Sequence, residues 1–439
     1  MSMFRLIALA GMVLWLALPA RAAMEIREVT SPGGIGAWLV ESHDIPFVAL
    51  EIRFRGGTSL DAPDKRGAVN LMTALLDEGA GEMDARAFAR ARGALAASFR
   101  FGSSRDSLSV SARMLTENRD QAVSLLRQAL HAPRFDADAV ERVRGRVLAS
   151  IRSDATDPGR IAARTFNRLA FGDHPYGSAS DGTEQSVAAL TRDDLVAAHS
   201  RTIARDRIYV AAAGDITAED LGALLDALFD GLPETGAPLP ERAEYGLGGG
   251  VTVVPFDTPQ SVAVFGHEGM ERDHPDFFAA YVMNEVLGAG GFESRLMKEV
   301  RGKRGLTYGV YSYLYPMDYA ALVLGQVASA NDRIAQAISV IRDEWVRMAA
   351  EGVTEQELED VKTYLTGAYP LRFDGNAPIA RILVGMQMEG LEPDYVNTRN
   401  DKIMAVTLEE VKRVAGELLH PDRLHFVVVG QPEGLETTN

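Results

Sequence analysis

The 439-residue chain contains no cysteine. That absence excludes disulfides, thiol catalysis and cysteine-ligated zinc, and it leaves apolar burial to hold the fold together, which a chain of this length permits. Positive charge is also in short supply, with 45 Lys and Arg against 61 Asp and Glu and a net charge of -16 at pH 7. So acidic a surface repels nucleic acid and anionic lipid over its whole extent, while leaving room for a local basic site. Only 8 histidines occur, and no H-x-x-E-H, H-E-x-x-H or G-x-S-x-G string is present, so neither a zinc helix nor a serine elbow can be read. Long apolar runs are confined to the N-terminus, where Arg5, the run LIALAGMVLWLALPA and Ala20-Arg21-Ala22 read as a secretory signal over residues 1–23. The run falls short of the roughly 20 apolar residues that span a bilayer. The expectation is a secreted, periplasmic protein with no integral membrane segment in its mature chain, more acidic still once Arg5 and Arg21 are removed.

What is present is a doubled pattern. TRDDLVAAHSRTIARDRIYVAAAGD, from Thr191, aligns without a gap on TLEEVKRVAGELLHPDRLHFVVVGQ, from Thr407, pairing Asp206 with Asp422, Arg207 with Arg423 and Gly214 with Gly430. In each copy a threonine caps an amphipathic helix with acidic residues in its first turn, and an apolar strand ends at glycine. Proline and glycine cluster in LPETGAPLPERAEYGLGGG, residues 232–250, which reads as a linker between an N-terminal domain, 24–231, and a C-terminal domain, 251–439. PFVALEIRFRGG, SVAVFGH and the pair within ASFRFGSSRDSLSVSARML alternate as strands; RDQAVSLLRQALHAP, PDFFAAYVMNEVLGAGG and RIAQAISVIRDEWVRMAAEG have helical period. The predicted class is α+β, two homologous domains, each an antiparallel sheet with helices packed on one face.

The residues suited to recognition lie in SRLMKEVRGKRGLTYGVYSYLYP, residues 294–316, where Arg295, Lys298, Arg301, Lys303 and Arg304 precede Tyr308, Tyr311, Tyr313 and Tyr315. Arg301 offers a planar fork of donors for a peptide carbonyl or carboxylate, and Tyr308 can donate to a backbone oxygen or a developing oxyanion. Lys298 and Lys303 read as a solvated helix face, and the later tyrosines as one side of a strand. Gly288, Gly290 and Gly291 either end a helix or let a peptide backbone come close. His267, Glu268 and His274 have a spacing that fits no metal-binding helix face, with Gly269 between them, and read as a strand end before a helix. His420 and His425 read as surface and strand residues.

Over nearly all of its mature length the chain resembles the pitrilysin or insulinase-like zinc metallopeptidases, which include mitochondrial processing peptidase. In that family a strand and a glycine-rich bend lead into a G-x-x-H-x-x-E-H helix, whose two histidines hold zinc while the glutamate activates water. The matching text is FRGGTSLDAPDKRGAVNLMTALLDEGAG. With Gly67 on the motif glycine, Asn70 and Ala74 stand at the histidine positions and Thr73 at the glutamate. The family's third ligand, a glutamate in a helix before an aspartate-proline pair, falls on Ser150 in RVRGRVLASIRSDATDP. The resemblance thus implies a degenerate site with no metal and no cofactor in this chain. It also implies a grip on substrate from Arg301 and Tyr308, which keep the spacing of an arginine-tyrosine pair in the family's second domain and follow a glycine turn, Gly288, Gly290 and Gly291. The implied protein is one half of a clam-shell, the noncatalytic, substrate-gripping subunit of a heterodimeric zinc peptidase acting on peptides, with zinc in a paralogous partner subunit. A catalytically inactive scaffold or peptide-binding protein of the same fold, including a homodimer, and a peptidase with an unrecognised site stand as alternatives.

Overall fold

In the computed structural model, which describes residues 24–438, a short ladder pairs Gly79–Ala80 with Met83–Asp84, and the other strands gather into two sheets of matching topology. The first contains β1 (Arg27–Thr30), β2 (Gly36–Glu41), β3 (Phe47–Arg55), β4 (Ser98–Ser103), β5 (Ser107–Leu115) and β6 (Ile208–Gly214), in the order β1-β2-β6-β3-β5-β4. The second contains β7 (Gly250–Pro255), β8 (Gln260–Glu268), β9 (Val310–Pro316), β10 (Ala321–Ala330) and β11 (His425–Gly430), in the order β7-β11-β8-β10-β9. Apart from β1, the two orders are the same, which makes the halves structural repeats. The expected export signal lies outside the described residues. Among those residues no helix is long and apolar enough to cross a membrane.

The helices that build the sites are α1 (Ala68–Thr73), α2 (Ala137–Asp154), α3 (Pro158–Phe171), α4 (Arg192–Thr202), α5 (Phe277–Asn284), α6 (Ile334–Glu351), α7 (Asn376–Met388) and α8 (Leu408–Leu418). α4 and α8 are the repeated pair. Thr191 caps α4 in a reciprocal box with Asp194, and Thr407 caps α8 in the same way with Glu410. Each helix then passes through a 3₁₀ turn, Arg205–Arg207 or Pro421–Arg423, into its strand. β6 and β11 end at Gly214 and Gly430, with φ of 122° and 152°. A Cβ there would sit 2.3 Å from Phe47 O and 2.3 Å from Ser261 Oγ respectively, so the close strand crossing itself selects glycine.

The α+β class holds, with two repeated domains and antiparallel-rich sheets, and two details refine it. Neither sheet is wholly antiparallel, because β2 pairs with β6 and β7 with β11 in parallel; the chain returns to each first strand only after a long excursion through helices, which permits parallel entry. The helices also cover both faces. Every residue of β11 is buried, and so are Val210 to Gly214 of β6, the near-continuous apolar run of a strand with no solvent face.

The second face is covered by exchange between the halves. From the first half, α3 places Ala162, Phe166 and Phe171 against Val264, Leu324, Val427 and Val429 of the second sheet. From the second half, α7 places Ala377 and Ala380 against Ala49 and Ala213, and Leu383 and Val384 against Trp38 and Ala211, all on the first sheet. Burying Phe166 alone contributes roughly 2–3 kcal/mol, and it is 1% exposed. The segment 232–250 runs over this junction, where Gly246 N donates to Ala170 O at 2.8 Å and Ala243 N to Tyr319 O at 2.8 Å.

Candidate functional site

In the first half, Asp61 organises the bend before α1, accepting hydrogen bonds from Gly67 N and Val69 N, both at 2.8 Å. Burial pushes its carboxyl up to about 6. α1 and α2 then bring Asn70, Thr73, Ala74 and Ser150 to the wall of one cavity of about 630 Å³. The four positions assigned through the resemblance are therefore neighbours in space. Their chemistry does not suit zinc. Thr73 is buried and donates its hydroxyl to Val69 O at 2.7 Å, Asn70 Oδ1 accepts from Ser103 Oγ at 3.3 Å, and Ala74 carries no polar side-chain atom. The carboxylates that line the same cavity are held by arginines: Asp77 by Arg92 at 2.7 Å, Glu78 by Arg142 at 2.5 Å and Arg146 at 2.8 Å, and Asp181 by Arg164 at 3.0 Å. Among the described residues, no group of three or more His, Asp or Glu is placed to hold a metal ion.

The histidine cluster dissolves in a similar way. His267 ends β8 inside the core, donating through Nδ1 to Glu268 O at 2.7 Å while its Nε2 accepts from the Trp345 indole at 3.0 Å. Both ring nitrogens are occupied, and burial lowers its pKa to about 4, so the ring is neutral. His425 is buried in β11 and bridges Thr252 and Gly248 O.

The basic segment of the second half changes character once its partners are placed. Arg295 is buried in a two-point pair with Glu357, at 2.8 and 2.6 Å; Lys298 pairs with Glu293 at 2.9 Å; Lys303 and Arg304 both reach Glu299, at 2.7 and 2.8 Å. Arg301 is the one basic residue of the five with no carboxylate partner among the described residues. Its Nη1 donates to the backbone oxygen of Tyr308 at 2.8 Å, and its guanidinium lies 4.7 Å from the Phe292 ring centroid. The Tyr308 side chain is 84% exposed and Phe292 69%. The arrangement is a small projecting head of one guanidinium and two aromatic rings.

Backbone irregularity positions this head. Helical period predicts one helix continuing past α5, but the stretch widens into a π-type turn, Glu285–Ala289, in which Gly290 N reaches back to Glu285 O at 2.8 Å. A second π-type turn, Met297–Gly302, carries Arg301, and such turns recur at functional sites. Between them Gly290 and Gly291 form the bend that presents Phe292. Gly288 is different from its neighbours and does not face a peptide: it is buried, and a Cβ there would lie 2.2 Å from Ser312 Oγ. Sequence reasoning missed Phe292, although a large apolar residue directly after two glycines, where helical period breaks, was an available signal. Tyr311, Tyr313 and Tyr315 line one side of β9, an edge strand, the first pair stacked at 6.2 Å between ring centroids and the second edge to face at 5.9 Å.

Residues 38–184 match the family model described as insulinase, peptidase family M16, and residues 189–365 match the one described as peptidase M16 inactive domain. The chain belongs to the M16 family. It is 27% identical to the non-peptidase homolog YmxG of Helicobacter pylori over 98% of both chains, and 29% identical to an uncharacterized zinc protease of Mycobacterium tuberculosis over 94% of both. A peptidase M16 inactive domain from Pseudomonas fluorescens has the same fold with a TM-score of 0.88 at 28% identity, covering 94% of this chain and 100% of that one. The M16 match over the first half spans Asn70, Thr73, Ala74 and Ser150, and the inactive-domain match spans Arg301, Phe292 and Tyr308. In this M16 chain the cavity of Asn70, Thr73, Ala74 and Ser150 and the group of Arg301, Phe292 and Tyr308 are separate, since neither Arg301 nor Tyr308 lines that cavity.

Proposed function

We propose that the chain is the noncatalytic, substrate-gripping subunit of an exported, periplasmic heterodimeric peptidase, working with a zinc-binding M16 paralogue. The observation that carries this reading is Arg301. It is held by Tyr308 O and stacked on Phe292, yet has no carboxylate to neutralise it among the described residues. A guanidinium fixed in that manner has donors left for a peptide carbonyl or carboxylate, and the exposed Tyr308 side chain has its hydroxyl free to donate to a backbone oxygen. Because the two residues stand outside the cavity of Asn70, Thr73, Ala74 and Ser150, they are disposed to serve a site on another subunit. The peptide chain is the fitting substrate, since the groups presented are backbone-directed donors and aromatic faces.

The test is reconstitution with the zinc-binding paralogue from the same host. The isolated chain is expected to cleave no peptide and to carry no zinc, and the pair to cleave. Arg301→Ala is expected to lower kcat/KM of the pair by about tenfold or more while the complex still elutes as a heterodimer. Unchanged turnover in an intact Arg301→Ala complex, or zinc and chelator-sensitive cleavage in the isolated chain, overturns the reading.

A further inference from the structure

A second cavity, of about 510 Å³, opens where α5, α7, the 3₁₀ turn Tyr369–Phe373 and the helix Tyr395–Ala405 converge. Four arginines line it, Arg272, Arg372, Arg381 and Arg399, against a single lining carboxylate, Glu389. Such a concentration runs against the net charge of -16 carried by the chain. Glu389 is already taken by Arg272, at 3.1 Å, and Arg381 comes within 4.0 Å of Glu51, which Arg53 holds more closely at 3.1 Å. Arg372, exposed at the rim, and Arg399, 5% exposed, make no ion pair among the described residues.

Arg399 is the more telling of the two. Its Nη1 donates to Leu365 O at 3.0 Å and Asn400 Oδ1 at 3.1 Å, both neutral acceptors, and its guanidinium sits 4.4 Å from the Tyr369 ring centroid. The nearby Glu285 carboxyl is buried; burial pushes it upward and the Arg399 charge draws it back, and it forms no direct ion pair with Arg399 among the described residues. A buried cation with no carboxylate in direct contact is costly unless an anion reaches it. Six rings, Phe277, Phe278, Tyr281, Tyr313, Tyr369 and Tyr395, share the rest of the wall with aliphatic side chains such as Ile382 and Leu391. Guanidinium groups matched to rings suit a planar anion carried on an apolar body.

We propose that this cavity binds an organic carboxylate with an aromatic or branched apolar body, the carboxylate taken by Arg372 and Arg399 and the body by the tyrosine wall. The site is separate from Arg301 and Tyr308, neither of which lines it, and it stands or falls independently of their role. Two sources share this chemistry, a free small acid and the C-terminal end of a peptide.

The experiment is calorimetric titration of the full chain with N-acetylphenylalanine, and with its uncharged amide as control. The acid is expected to bind with Kd at or below about 1 mM and the amide at least about tenfold more weakly. Arg399→Gln should abolish binding; because that residue is buried, Arg372→Gln serves as the second variant, weakening binding about fivefold with an unchanged unfolding midpoint. A short peptide ending in phenylalanine with a free carboxylate separates the sources: tighter binding than N-acetylphenylalanine assigns the cavity to peptide ends, weaker binding to free acids, and either supports the site. Equal binding of acid and amide, no binding of the acid, displacement by equimolar inorganic phosphate, or an unaltered affinity in Arg372→Gln overturns it.

Discussion

Asp106 and Asp318 occupy the outer hairpin turns of the two sheets, β4 to β5 and β9 to β10, and meet across the junction of the halves, where Asp318 N donates to Asp106 Oδ2 at 3.4 Å. Tyr176 OH donates to Asp106 Oδ1 at 2.6 Å and accepts from Tyr319 N at 3.1 Å, while Arg55 Nε stands 3.3 Å from Asp318 Oδ2 without hydrogen-bond alignment. Two repeat-related turns thus hold two half-buried carboxyls close together, and partial burial raises both, Asp318 to about 6.

Between its ordinary value of 3.8 and about 6, Asp318 keeps a proton in the fold that the unfolded chain releases. Its contribution to stability is therefore present in full below the lower value and lost as pH rises through the upper one. Asp318→Asn removes that dependence. Denaturant titrations should show the difference between wild type and Asp318→Asn moving in favour of the variant from pH 4 to pH 6 and staying level above; a difference independent of pH would refute the placement of a raised carboxyl at this junction.

His267 predicts the opposite slope. Its folded value of about 4 lies below the ordinary 6.5, so the unfolded chain binds a proton that the fold refuses between those values. Stability from this residue is complete above pH 6.5 and declines as pH falls toward 4, by on the order of 3 kcal/mol. Trp345 donates to the same ring, so its fluorescence should report the loss on acidification. In His267→Gln the acid-induced decline should be shallower; an identical pH profile would sink the assignment.

Gly288→Ala should destabilise by about 1–3 kcal/mol, because the added Cβ meets Ser312 Oγ at 2.2 Å and Ser312 N at 2.6 Å. Gly291→Ala acts through its φ of 57° instead, with nothing within 4 Å of the new atom, and should cost less. Urea denaturation of the two variants checks the order. A milder effect at Gly288 would show that the π-type turn relaxes around the methyl group.

The sequence made some of this visible and concealed the rest for physical reasons. β3 and β5 were legible because their polar and apolar residues alternate, and the repeat was legible because Thr191 and Thr407 each begin a capped helix. The cover on both sheet faces was not read, although VVV in β11 and VAAA in β6 carried the signal, since apolar runs alone do not say which helix covers them. The exchange of α3 and α7 between halves depends on contacts far apart in the chain. For the same reason the five basic residues of 295–304 looked like one island, whereas Glu357, Glu299 and Glu293 neutralise all but Arg301. The gathering of Asn70, Thr73, Ala74 and Ser150 came from resemblance, not from composition or period.

That gathering yields a last prediction, because the backbone at α1 retains the geometry a pair of ligands would need. Ala74 N still donates to Asn70 O at 3.1 Å, so the two positions remain one helical turn apart and on the same side. Ser150 is exposed across the cavity from them, and Asn70 would give up only its contact with Ser103. The triple variant Asn70→His, Ala74→His, Ser150→Glu should therefore acquire one zinc per chain with Kd in the micromolar range or tighter, where wild type takes none, as measured by metal content after dialysis and by competition with a coloured chelator. Thr73 is left in place because a glutamate there would enter a buried position already hydrogen-bonded to Val69 O. A folded triple variant that holds no zinc would mean that the cavity has lost the ligand geometry as well as the ligands.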